Sequence, residues 1–230
     1  MSLTSNRRNL LGWLAALFVL CGCEAAPPPV PKRVVSGHAV ILMHGRGASA
    51  NDLQPLADQL SKVAPKVKFI LPAGPLTFGR GLAWYPRANE TAPAEMDQAR
   101  TRARGLVMDA VKQLRKEGFD DSQLLVGGFS QGATVALDVV LSPEGARLGG
   151  LISLSGGVLE LDLLRLQRRA KLRAFVSHGT ADPVLEFSTS KGLVAALQQN
   201  HHPVQFVEFD GAHTIPAIVR EQLGAFLASE

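Results

Sequence analysis

Cysteine is nearly absent from this sequence of 230 residues: there are two, Cys21 and Cys23, and none after them. A disulfide within the rest of the chain is thereby excluded, as is acyl transfer through a cysteine nucleophile, so core packing alone must hold the fold. No His/Cys/Asp cluster has the spacing of a metal site, and His201-His202 is an isolated pair of the kind expected in solvent. No G-x-G-x-x-G follows an apolar run, so the sequence indicates neither a dinucleotide nor any other cofactor. Internal repeats are missing too, and low complexity is limited to a short proline run at Pro27–Pro29. Charge of one sign is modest: the formal net charge of +4 falls to +2 once Arg7 and Arg8 are set aside. The other basic residues are scattered, with Arg100, Arg102 and Arg104 read as one solvated side of a helix, and nucleic acid is not an expected partner.

Long apolar runs are also lacking. The longest, Leu10–Leu20, is too short to span a bilayer, but behind Arg7 and Arg8 it has the layout of a secretory signal. Leu20-Cys21-Gly22-Cys23 then resembles a bacterial lipobox with Cys23 as the lipidated residue. Cleavage near Ala25-Ala26 without lipidation is the plainer alternative. The expected organisation is a signal peptide over residues 1–22, a lipidated Cys23 with a stiff proline-rich spacer over 23–36, and one catalytic domain over 37–230. Export to the cell envelope, with a lipid anchor on the periplasmic or extracellular face, follows from that reading.

What is present centres on Leu124–Gly132, LLVGGFSQG. An apolar run ends in Gly128-Phe129-Ser130-Gln131-Gly132 and continues as a helical pattern, which is the strand–turn–helix context of a G-x-S-x-G nucleophile elbow. The glycines lack the Cβ atoms that would collide across so tight a turn. Strands are expected at His38–Met43, Val67–Leu71, 123–130, Leu148–Leu154, Leu172–Ser177 and Val204–Phe209. Between them lie helices from Asn51 as cap to about Ser61, from Pro93 to Glu117, on to Leu141, over Ser188–Gln199 and over Pro216–Ala228, while residues 76–93 read as a loop. Alternating strands and helices define an α/β protein with a mostly parallel central sheet covered by helices on both faces, here an α/β-hydrolase fold.

A serine hydroxyl needs an adjacent base, and the base needs an acid to fix its tautomer. The chain order expected for this fold is Ser, Asp or Glu, then His, and Ser130, Asp182 and His213 supply it on loops that each follow a strand. Asp210 lies three residues before His213 and reads as a turn former; His178 reads as structural, and His44 as a loop-packing residue. Two amides should meet the oxyanion, one from Gln131 after the nucleophile and one from Arg46 in the glycine-rich loop His44-Gly45-Arg46-Gly47. The Arg46 side chain itself is expected in solvent.

VILMHGRGASANDLQPLA, FILPAGP, AWYPR, LLVGGFSQGATVALDVVL, LISLSGG, VSHGTADPVL and FDGAHTIP resemble, in order from about residue 38 to the C-terminus, the phospholipase/carboxylesterase family that includes acyl-protein thioesterases. The resemblance implies a cofactor-free serine esterase or thioesterase with a Ser130-Asp182-His213 triad, oxyanion amides from Arg46 and Gln131, and a small ester, acyl or lysophospholipid substrate. Trp84 and Tyr85, with Phe78, are the expected acyl pocket. Pro86-Arg87 stands where the family often has an acidic residue, so substrate preference is not carried over. The alternatives are a peptidase or dienelactone-type hydrolase on the same fold, and a membrane-anchored lipoprotein that binds an acyl ligand without turning it over.

Overall fold

The computed structural model describes residues 35–87, 89–158 and 163–229. The leader over 1–22, Cys23 and the spacer up to residue 34 lie outside the described residues. Six strands form one sheet: β1 (Ala39–Met43), β2 (Lys68–Ile70), β5 (Leu124–Phe129), β6 (Gly150–Leu154), β7 (Arg173–Gly179) and β8 (Val204–Phe209), in the order β2-β1-β5-β6-β7-β8. Every neighbouring pair is parallel. Two short strands, β3 (Leu76–Phe78) and β4 (Gly81–Ala83), pair antiparallel in a separate hairpin.

A parallel sheet must be covered on both sides, and the strand alternation does this. On β1, Ala39, Ile41 and Met43 face one cluster, which holds Val107, Val111 and Leu114 of helix α2 (Pro93–Glu117) and Val135 and Val139 of α3 (Gln131–Leu141). Val40 and Leu42 face the other, with Leu56 and Leu60 of α1 (Gln54–Val63) and Leu223 and Phe226 of α6 (Ala217–Ala228). Helices α4 (Leu163–Arg168) and α5 (Phe187–Gln199) complete the first layer through Leu166, Leu193 and Leu197. This is the α/β-hydrolase arrangement. Helix α2 stops at Gly118, whose φ of 107° is the left-handed conformation a helix terminator needs.

The chain runs outward from β1 to β2, then returns past β1 to β5. Loops leaving β1 and β5 at their carboxyl ends therefore diverge, and the crevice between them is the place where such sheets bind ligands.

Several local expectations are corrected. Helix α1 is preceded by a 3-10 turn over Ala50–Leu53 capped by Ser49, not Asn51, because the Asp52 carboxylate accepts both the Ser49 amide at 2.6 Å and its hydroxyl at 2.8 Å. The stretch 76–93 is not all loop, since it contains the β3–β4 hairpin. Helix α4 is additional. His202 is not solvated: it is buried, accepts the Leu172 amide on Nδ1 at 3.2 Å and donates Nε2–H to the Leu166 carbonyl at 3.1 Å. Arg104 is held in place by Asp138 of α3, with guanidinium-to-carboxylate distances of 2.8 and 3.0 Å.

Candidate active site

Ser130 sits between β5 and α3 at φ 55° and ψ −118°, a conformation costing a serine about 1–3 kcal/mol that persists only where the surroundings enforce it. They do. A Cβ on Gly128 would stand 2.5 Å from the Gly132 carbonyl carbon and 2.6 Å from the Met43 carbonyl oxygen. A Cβ on Gly132 would run into the same Met43 carbonyl and lie 2.7 Å from that of His44. Only glycine at both positions lets the first turn of α3 rest on the end of β1. The Ser130 amide donates to the Leu154 carbonyl at 2.9 Å, and the Thr134 amide returns to the Ser130 carbonyl at 3.1 Å, which closes the turn.

Asp182, on the loop after β7, has a side chain with no exposed surface. Its Oδ1 accepts the amides of Val184 at 2.8 Å and Leu185 at 3.0 Å, and its Oδ2 accepts His213 Nδ1 at 2.6 Å. Burial opposes the charge, but the Leu185 amide, the His213 ring and the Val184 amide together outweigh it, and the carboxyl lies below its usual 3.8. His213 follows β8, and its other ring nitrogen, Nε2, is left as the acceptor. Phe129, beside the elbow, lies against the His213 ring at a centroid distance of 4.7 Å.

His178, read from the sequence as structural, is so placed. Fully buried, it places Nε2 at 3.0 Å from the Leu185 carbonyl and 3.2 Å from Asp182 Oδ2. Both are acceptors, so Nε2 carries the proton, and Nδ1 accepts from Ser190 Oγ at 2.7 Å. Asp182 is thus flanked by two histidines and two amides. The signal in the sequence is the spacing of four residues from His178 to Asp182 across the end of β7.

The loop after β1 carries Arg46. Strand β4 pairs with it: the Gly47 amide donates to the Leu82 carbonyl and the Leu82 amide to the Ala48 carbonyl, both at 2.8 Å. Gly81 has no side chain to block this, where a Cβ would meet the Gly47 carbonyl. His44 accepts the Gly74 amide on Nε2 at 3.0 Å, and Trp84 Nε1 donates to the His44 carbonyl at 2.9 Å. The Gln131 side chain bridges the rest, accepting the Trp84 amide at 2.9 Å and donating to the Tyr85 carbonyl at 2.7 Å. The Gln131 amide stands at the first position of α3, where no intrahelical acceptor exists, and Gln131 and Arg46 both line the same crevice.

A cavity of about 420 Å³ brings these parts together: Ser130, Gln131, His213, Arg46, Phe78, Tyr85, Phe129, Thr134 and Leu185 all line it. Trp84 does not. It is fully buried in the core, its ring tilted against that of His44 at 5.3 Å, so its expected place in the substrate pocket is corrected to that of a brace, while Tyr85 does reach the cavity. The Arg46 side chain is likewise not free in solvent, because its Nε is buried. Among the described residues no three His, Cys, Asp or Glu side chains are grouped to hold a metal ion.

An α/β-hydrolase fold with a serine elbow and a paired His and Asp defines the general class. The phospholipase/carboxylesterase family profile matches residues 30–229. Acyl-protein thioesterase 1 of Yarrowia lipolytica is 31% identical over 176 residues, covering 70% of this chain and 77% of that protein. Esterase PE8 aligns with a TM-score of 0.70 and 26% identity over 85% of this chain and 95% of its own. The phospholipase/carboxylesterase of Dyadobacter fermentans gives a TM-score of 0.67 and 25% identity over 86% and 92%. The chain belongs to the phospholipase/carboxylesterase family and is a hydrolase of ester or thioester bonds.

The lowered Asp182 pKa fixes a sign. Its ionised form stabilises the native state fully above the unfolded value of 3.8, and that contribution is lost as pH falls through the lower native value. Asp182→Asn is therefore expected to melt below the wild type at neutral pH, with the gap closing as pH drops below about 4. Thermal unfolding across the acid range checks this; a gap that stays constant would show that the charge is not what the site stabilises.

Proposed function

We propose that the chain is a serine carboxylesterase or thioesterase acting through Ser130, His213 and Asp182. The observation that carries this reading is the 2.6 Å pairing of His213 Nδ1 with the buried Asp182 carboxylate at the cavity that Ser130 lines. With Nδ1 committed to Asp182, His213 Nε2 takes the hydroxyl proton as Ser130 Oγ bonds to the acyl carbon. The Arg46 and Gln131 amides hold the resulting oxyanion. Collapse of the tetrahedral species breaks the bond to the alcohol or thiol, which leaves with the proton from Nε2. Water then gives its proton to Nε2 and its oxygen to the acyl carbon, and the acid departs as Ser130 recovers its hydrogen. Every group in this sequence belongs to the chain, so no cofactor enters.

Ser130→Ala is expected to lower kcat for 4-nitrophenyl butyrate and for a butyryl thioester by about 10³-fold or more. Unchanged turnover in a folded variant would reject the assignment. Which of the two substrates the wild type prefers separates esterase from thioesterase.

A second element of the proposal concerns location. The Leu20-Cys21-Gly22-Cys23 sequence supports lipidation of Cys23 and attachment of the domain to the cell envelope through the spacer. Expressed in a bacterium supplied with labelled palmitate, the full chain is expected to take up label and sediment with membranes, and Cys23→Ser to do neither. Label-free, soluble wild type would replace this with simple cleavage.

A further inference from the structure

Two guanidinium groups enter the cavity beside Ser130 from different loops. Arg46 and Arg87 both lie over the ring of Phe78, at 5.8 and 5.4 Å from its centroid. Phe78, at the tip of the β3–β4 hairpin, thereby gathers two like charges around one ring, a disposition that favours a nearby anion. Among the described residues that line the cavity, none is an aspartate or glutamate. Asp182 is sealed beneath His213, and burial keeps the Tyr85 phenol neutral by pushing its pKa upward. Arg87 meets Glu90 at 3.2 Å, but both side chains are about half exposed, so this pair is at the rim and weakly held. Arg46 Nε is buried without a hydrogen-bond acceptor, a donor left unsatisfied beside the candidate oxyanion amide of the same residue.

We propose that this cavity selects esters or thioesters bearing a carboxylate or phosphate, with Arg46 and Arg87 as the residues that bind the anion. Planar guanidinium forks match either group with paired, charge-assisted hydrogen bonds. The inference rests on Ser130 being the nucleophile and names the substrate class for that site. The anion would neutralise the two cations. The apolar surface that remains, from Phe78, Phe129 and Leu185, suits the short linker between the charge and the scissile carbonyl.

The test uses three charged esters, each beside its neutral methyl ester: the mono-4-nitrophenyl ester of adipic acid, 4-acetoxybenzoate, and 4-acetoxyphenyl phosphate. They place a carboxylate on the acyl side, a carboxylate on the leaving-group side, and a phosphate on the leaving-group side, the last being neutral only as its dimethyl ester. Values of kcat/KM are divided by the rate of hydroxide hydrolysis to remove differences in leaving group. At least one charged ester is expected to exceed its neutral partner by about tenfold, the effect of one charge-assisted hydrogen bond, with the preference shrinking at high salt. The charged-to-neutral ratio should fall in Arg46→Gln and Arg87→Gln, recover in part in Arg87→Lys, and rise in Glu90→Gln, which frees Arg87. Which pair shows the preference tells carboxylate from phosphate and acyl side from leaving group. Neutral esters turned over as well as or better than the charged ones in all three pairs would overturn the inference while leaving the esterase reading intact. Failure to hydrolyse any of the six would remove both.

Discussion

The site depends on one close approach of backbone to backbone. The first turn of α3 rests on the carbonyls that end β1, and a single methyl group on Gly132 would separate them. That contact forces Ser130 into its positive-φ conformation and brings the loop after β1 beside the first amides of α3. Two segments far apart in sequence thus meet at the point where the sheet order reverses. Nothing about the serine's own chemistry achieves this; the absence of two Cβ atoms does.

Around that contact the polar groups are placed so that each fixes another. Gln131 gives its side chain to the Trp84 amide and the Tyr85 carbonyl. Trp84 in turn holds the His44 carbonyl, and strand β4 pairs with residues 47 and 48, so the loop that carries Arg46 is bound from two sides. Asp182 receives hydrogen bonds from His213 and from the amides of Val184 and Leu185, which keep a buried carboxylate ionised, while His178 lies 3.2 Å away and holds the Leu185 carbonyl. Rigid donors around a buried anion are what a base oriented by an acid requires.

Much of this was legible in the residues. The order of strands and helices, the elbow, and the positions of Ser130, Asp182 and His213 after strands all follow from periodicity and from glycine and proline punctuation. What escaped sequence reading were features set by tertiary contacts. Three-residue strands such as Leu76–Phe78 and Gly81–Ala83 have too little alternation to register, and this hairpin exists because Leu82 pairs with the loop after β1. An indole next to a phenol looks like one aromatic patch, yet Trp84 turns into the core while Tyr85 reaches the cavity, a division decided by the Gln131 bridge between them. His202 reads as a surface histidine, but backbone groups of Leu166 and Leu172 enclose it.

The proposed triad requires that Ser130 be activated by its surroundings. Treating the folded protein with a fluorophosphonate and mapping the modified peptide by mass spectrometry tests it most directly. One adduct is expected, on Ser130, formed rapidly by the wild type and far more slowly after His213→Ala. A folded protein that acquires no adduct, or one labelled at another residue, would contradict it.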